Sequence, residues 1–145
     1  MQEYPHHYKV QALSALEGEV RLESKNLTSL RTAPPEEFGG PGDLWSPETL
    51  FVGAVADCFI LSFRAIARAS KLPWASISCE AEGILDKVDK VAQFTNISVH
   101  AHLVIPSDVD KEKAERILQK AEKSCLITNS LKAPTHLDTK IEVGA

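Results

Sequence analysis

The stretch from Ser46 to about residue 70 constrains the fold of this chain more than any other. Ser46-Pro47-Glu48 is a helix start. A serine hydroxyl caps free amide groups, proline at the first helical position gives up no hydrogen bond, and glutamate meets the positive end of the helix dipole. Pro73 stops the helix soon after Ser70. Between these limits Leu50, Phe51, Val52, Val55, Phe59, Ile60, Leu61, Phe63 and Ile66 cover almost the whole circumference. A helix apolar on every side in a soluble protein is buried on every side. At about 24 residues it would be about 36 Å long, more than one small domain encloses. A second subunit is therefore expected to cover part of it.

The other elements follow from shorter periods. Residues 8–16, 19–25 and 27–32 read as strands, with Glu17-Gly18 as a hairpin turn. Residues 33–42, with three prolines and three glycines, form a long loop that excludes both helix and central strand. Residues 75–86 alternate, with Ile77, Cys79, Ala81 and Leu85 facing in. Residues 93–105 do the same through Ile97, Val99, Ala101, Leu103 and Ile105. Ser107-Asp108-Val109-Asp110 opens an amphipathic helix whose apolar face is Ala114, Ile117, Leu118 and Ala121, with Cys125 four residues further on. Residues 137–143 make a last strand. The class is α+β, in the order β-β-β, long buried central helix, β-β, helix, β. At 145 residues, one domain covering 1–145 is expected.

Composition removes several functions. A net charge of −4 with scattered cations lacks the basic surface that nucleic acid or an anionic membrane demands. The first ten residues are polar and carry no secretory pattern, and the apolar run 50–63 is interrupted by Asp57 and too short to span a bilayer. A cytoplasmic protein is expected. Cys58, Cys79 and Cys125 match no zinc spacing, and in a reducing cytosol such thiols are reactive or packed more often than bridged. His100 and His102 share a strand face without matching carboxylate or Cys spacing, which reads as a solvated face and not a metal site. There is no phosphate loop and no Gly-x-Ser-x-Gly elbow.

Cys58 is the first chemical candidate. A thiol becomes nucleophilic only as its thiolate, which needs a nearby positive charge to form at neutral pH. Cys58 sits about 18 Å from the start of its helix, beyond the reach of the helix dipole. Two readings of the residues stand side by side: a thiol packed inertly among apolar neighbours, or a nucleophile ionised by an Arg or Lys from another segment. Cys125, on an inward helix face, could meet Cys58, but a separation of 67 residues carries no local signature. Cys79 reads as packing. Glu48 lies about 15 Å from Cys58 along the same helix. It reaches the Cys58 site only across a subunit interface, or else serves merely as a favourable first-turn charge.

The run Phe38-Gly39-Gly40-Pro41-Gly42, followed by Ser46-Pro47-Glu48 and then Ala56-Asp57-Cys58-Phe59, resembles the OsmC/Ohr family of osmotically inducible and organic hydroperoxide resistance proteins. Glu122-Lys123-Ser124-Cys125 resembles its second landmark, a cysteine at the end of an amphipathic helix. The resemblance implies an intertwined homodimer and a cysteine-based peroxidase of the oxidative-stress response. Cys58 would attack a hydroperoxide and become a sulfenic acid, and Cys125 would resolve it to a disulfide. An external dithiol, lipoyl-type in the family, would reduce that disulfide, with no bound cofactor or metal. Glu48 would help hold an activating arginine. The family's arginine lies near the first β-turn; here the nearest candidate is Arg21, with Arg31 further on. A second departure is Leu126, where organic-hydroperoxide members commonly carry proline. Two other readings of the fold remain: a module that binds a small apolar molecule, and a redox sensor whose output is the disulfide itself.

Overall fold

The structure is a computed structural model and describes residues 1–144. The chain forms two compact units, Met1–Leu50 and Phe51–Ala145. In the first, strands β1 (Gln11–Leu13), β2 (Val20–Glu23) and β3 (Leu30–Thr32) make an antiparallel sheet in sequence order. These strands are shorter than their sequence patterns predict, so residues 14–19 form a longer connection than a tight hairpin. Gly18 supplies the positive φ of 97° that this connection needs. The proline-glycine segment is not wholly irregular: a single 3-10 turn, Glu36–Phe38, ends on Gly39 at φ 86°. A lone turn survives there because it needs only one or two hydrogen bonds and no apolar face.

Helix α1 (Pro47–Ala69) starts where its sequence signals place it. The Ser46 hydroxyl accepts from the Thr49 amide at 3.1 Å, and the Thr49 hydroxyl accepts from the Ser46 amide at 2.8 Å. This reciprocal pair satisfies two amides that a helix start otherwise leaves orphaned. Ser46 is buried. Ser46→Ala is expected to lower stability by about 1–2 kcal/mol, read as an earlier urea midpoint with an unchanged slope.

Within the chain α1 buries one stripe, Val55, Phe59, Phe63 and Ala67, at helical spacing, while Leu61 stays 51% exposed. The whole-circumference burial expected from its composition is thus not reached within one copy. By length and composition the helix is apolar enough to cross a membrane, which the interrupted run 50–63 understates; its stripe instead joins the core.

The second unit is built on a three-stranded sheet of β4 (Ser76–Val88), β5 (Val91–Ile105) and β6 (Thr135–Val143), in that order. β4 and β5 are antiparallel, whereas β6 runs parallel to β5. Ile97, Val99, Ala101, Leu103 and Ile105 are buried, as their alternation predicts. Leu85 is not: a register shift at Ile84/Leu85 breaks the alternation and leaves Leu85 38% exposed. Gly83, just before that shift, lets α1 approach the sheet. A methyl group there would lie 2.8 Å from the Phe94 ring and 2.9 Å from Val52.

Helix α2 (Lys111–Ser124) is capped by Asp110, whose carboxylate accepts from the Glu112 amide at 3.0 Å. It buries Ala114, Ile117, Leu118 and Ala121. A one-turn helix, α3 (Leu126–Asn129), follows at once, which no periodicity in the sequence announces.

Candidate active site

Cys58 and Cys125 come together although 67 residues separate them. Cys58 projects from the middle of α1, half-buried, and Cys125 is the buried junction residue that ends α2 and begins α3. Both are free thiols, close enough that each shifts the ionisation of the other. Cys125 is fixed by what it joins: its carbonyl accepts from the Asn129 amide at 3.0 Å and from the Thr128 hydroxyl at 3.1 Å.

The surroundings separate the two thiols electrostatically. Burial pushes the Cys58 thiol up, but four donors outweigh it. The Ile127 amide, the Cys125 thiol, the Ser62 hydroxyl and the Leu126 amide together hold Cys58 below the ordinary thiol value of 9.0. The Ser62 oxygen lies 3.9 Å from the sulfur, one helical turn along α1. Cys125 moves the other way: burial raises it, and the neighbouring Cys58 adds to the rise, against lowering by the Thr128 amide and hydroxyl. Of the two thiols Cys58 is therefore the first to ionise as pH rises, the order a nucleophile and its later partner require.

The two amides are available because of the chain's local geometry. The first amides of any helix have no partner within it. Starting α3 immediately after Cys125 aims those of Leu126 and Ile127 at the sulfur. Leu126→Pro deletes one of them while leaving the turn intact, since proline suits a first helical position and Cys125 already has the extended φ −66°, ψ 107° that a residue before proline prefers. A hydrogen bond to an anion contributes about 1.5–3 kcal/mol. The variant is expected to alkylate at Cys58 about tenfold more slowly at neutral pH, with its pH profile displaced upward. Site-resolved iodoacetamide labelling checks this.

The other sequence candidates stand as follows. Glu48 occupies the first turn of α1, with its Oε1 buried and without a hydrogen-bond partner among the described residues. Arg21, in β2, makes a 3.5 Å ion pair with Glu23 and remains mostly exposed. Arg31 is held more tightly by Glu19, at 2.6 Å. Cys79 donates to the Ala56 carbonyl at 3.4 Å, and burial raises its pKa. His100 and His102 face Asp138 and Glu142, at 3.2 and 3.4 Å. Among the described residues no three His, Cys, Asp or Glu side chains cluster as metal ligands do. Sequence reasoning expected an Arg or Lys to ionise Cys58; the groups that lower it are instead uncharged, and among them Ser62 and the Leu126 and Ile127 amides were missed. The Cys-x-x-x-Ser spacing within α1 was the one signal that could have found Ser62.

Comparison with known proteins places this geometry in a family. An uncharacterised protein of Bacillus subtilis, YmaD, is 29% identical over 126 residues, covering 84% of this chain and 83% of its own. The peroxiredoxin OsmC of Escherichia coli is 30% identical over 97 residues, 67% of each chain. The crystal structure of an organic hydroperoxide resistance protein OsmC from Legionella pneumophila superposes with a TM-score of 0.72 at 26% identity, over 99% of this chain and 100% of that one. Residues 40–140 match the family described as OsmC-like protein, a span that holds α1, α2, Cys58, Cys125, β4, β5 and the first part of β6. The chain belongs to the OsmC-like family.

Proposed function

We propose that this protein is a thiol-dependent peroxidase that reduces organic hydroperoxides through Cys58 and Cys125. The observation that carries the reading is the opposed ionisation of two adjacent thiols, Cys58 lowered and Cys125 raised. The Cys58 thiolate attacks the terminal peroxide oxygen; the O–O bond breaks, an alkoxide leaves and takes a proton, and the sulfur becomes a sulfenic acid. The Cys125 thiol then attacks that sulfur, releasing water and closing a disulfide. An external dithiol restores both thiols by exchange. The exposed Leu126 side chain, beside the site in sequence, favours an apolar peroxide over hydrogen peroxide.

A homodimer completes this reading. Leu61, exposed on a helix otherwise in the core, is covered by a second copy, and the unpartnered Oε1 of Glu48 accepts from a guanidinium at the interface. Arg21, held by one long ion pair, is the candidate donor. An unpaired buried carboxylate oxygen costs free energy that such a donor recovers.

The test is thiol mapping by mass spectrometry, before and after one equivalent of cumene hydroperoxide, over seconds. A rapid Cys58–Cys125 disulfide is expected. Slow oxidation spread over all three cysteines would sink the reading and favour a module that merely binds small apolar molecules.

A further inference from the structure

The outward side of α2 carries a feature that the thiol chemistry does not use. Lys113, Arg116, Lys120 and Lys123 recur at intervals of three and four, which places all four on one helix face. Their Cα positions span about 15 Å at about 1.5 Å per residue. With Ser70 they line a groove of about 480 Å³. Lys113 is anchored there, donating to the Ser70 carbonyl at 3.2 Å at the end of α1. Among the described residues none of the four lies within ion-pair distance of a carboxylate. Of the acids of α2, Glu115 also lines the groove, where its carboxylate accepts from the Thr139 hydroxyl and the Gln119 amide.

Four unpaired cations in a row are unusual on a chain of net charge −4. Like charges side by side repel, and no ion pair within the chain offsets that among the described residues. The stripe is too long for a single small anion. It also lacks the aromatic side chains on which nucleic-acid bases would stack. An acidic protein segment fits its length and charge, through complementarity that sets both encounter and register. Along the chain the stripe ends at Lys123, two residues before Cys125.

We propose that the Lys113–Arg116–Lys120–Lys123 face docks an acidic segment of a protein carrying the dithiol that resets the Cys58–Cys125 disulfide. This inference rests on the peroxidase reading. Cys58 is the accessible sulfur, since Cys125 is buried. One carrier thiolate attacks Cys58; the S–S bond breaks, and Cys125 leaves as a thiolate and takes a proton. The second carrier thiol attacks the mixed disulfide and expels the Cys58 thiolate. Two electrons pass from the carrier, now a disulfide, to the two cysteines.

Two synthetic peptides with a Cys-Gly-Pro-Cys dithiol, one flanked by glutamates and one by lysines, serve as probes with the full chain. Binding is read by fluorescence anisotropy on the reduced protein, and disulfide reduction on protein oxidised with diamide. The glutamate peptide is expected to bind more tightly, with affinity falling as salt rises. The double variant Arg116→Glu/Lys120→Glu should weaken that binding, and slow reduction by that peptide, by about tenfold, while dithiothreitol reduces both proteins equally. Arg116→Gln/Lys120→Gln, which adds no new charge, should show the same direction with a smaller change. Equal affinity of wild type and variants for the glutamate peptide overturns the inference, as do weakened binding with unchanged reduction. A failure of the peroxidase reading shows separately, in thiol mapping without any peptide.

Discussion

Cys58→Ser is expected to abolish hydroperoxide consumption, and Cys125→Ser to stop turnover after the first step. A serine hydroxyl in place of Cys58 keeps the shape but ionises far above any working pH. The donors that lower the Cys58 thiol, the Ile127 and Leu126 amides and Ser62, cannot bring a hydroxyl into range. Loss to the uncatalysed rate follows, measured as residual cumene hydroperoxide by ferrous–xylenol orange. In Cys125→Ser the nucleophile remains, so one equivalent of peroxide disappears and the Cys58 sulfenic acid persists, where dimedone traps it. The serine keeps a hydroxyl donor where the Cys125 thiol stood, so this first step should proceed at a rate close to that of wild type. The pH dependence has a definite sign. The wild-type rate of the first step rises with pH as Cys58 loses its proton, and levels off below the pH at which an ordinary thiol would, because its pKa is lowered. Wild-type-like consumption by Cys58→Ser would remove Cys58 from the chemistry altogether.

Phe63→Ala is expected to be the most destabilising substitution in the core, by about 3–5 kcal/mol. Phe63 is fully buried on the α1 stripe and meets Trp74 edge-on, ring centroids 5.5 Å apart at 75°. The cavity left by alanine would be lined by a sheet and helix faces that cannot close on it without moving the buried β5 residues. The aromatic pair adds about 0.5–1.5 kcal/mol beyond burial. Against a total stability of about 5–15 kcal/mol this is a large fraction. The urea midpoint should fall sharply with the slope unchanged. Leu61→Ala, on the exposed side of the same helix, should barely change it in the monomer. A Phe63→Ala midpoint close to wild type would mean that the stripe is not the core of this unit.

What the sequence determined by itself was whatever a short window can encode. Ser46-Pro47-Glu48 set the start of α1, a period of two marked the buried side of β5, and a period of 3.6 marked the face of α2; all three stand in the structure. The two motifs around Cys58 and Cys125 also pointed to the family before any fold was known. Tertiary structure decided the rest, because the deciding neighbours lie far apart along the chain. Only the fold brings Cys125 against Cys58, turns one stripe of an evenly apolar helix inward, and runs β6 parallel to β5. It also determines what lowers the Cys58 pKa. Of those groups only Ser62, one helical turn away, was within reach of a local pattern; the partner thiol and two backbone amides come from a distant segment, and an amide is present in almost every residue, so no pattern of side chains can announce it.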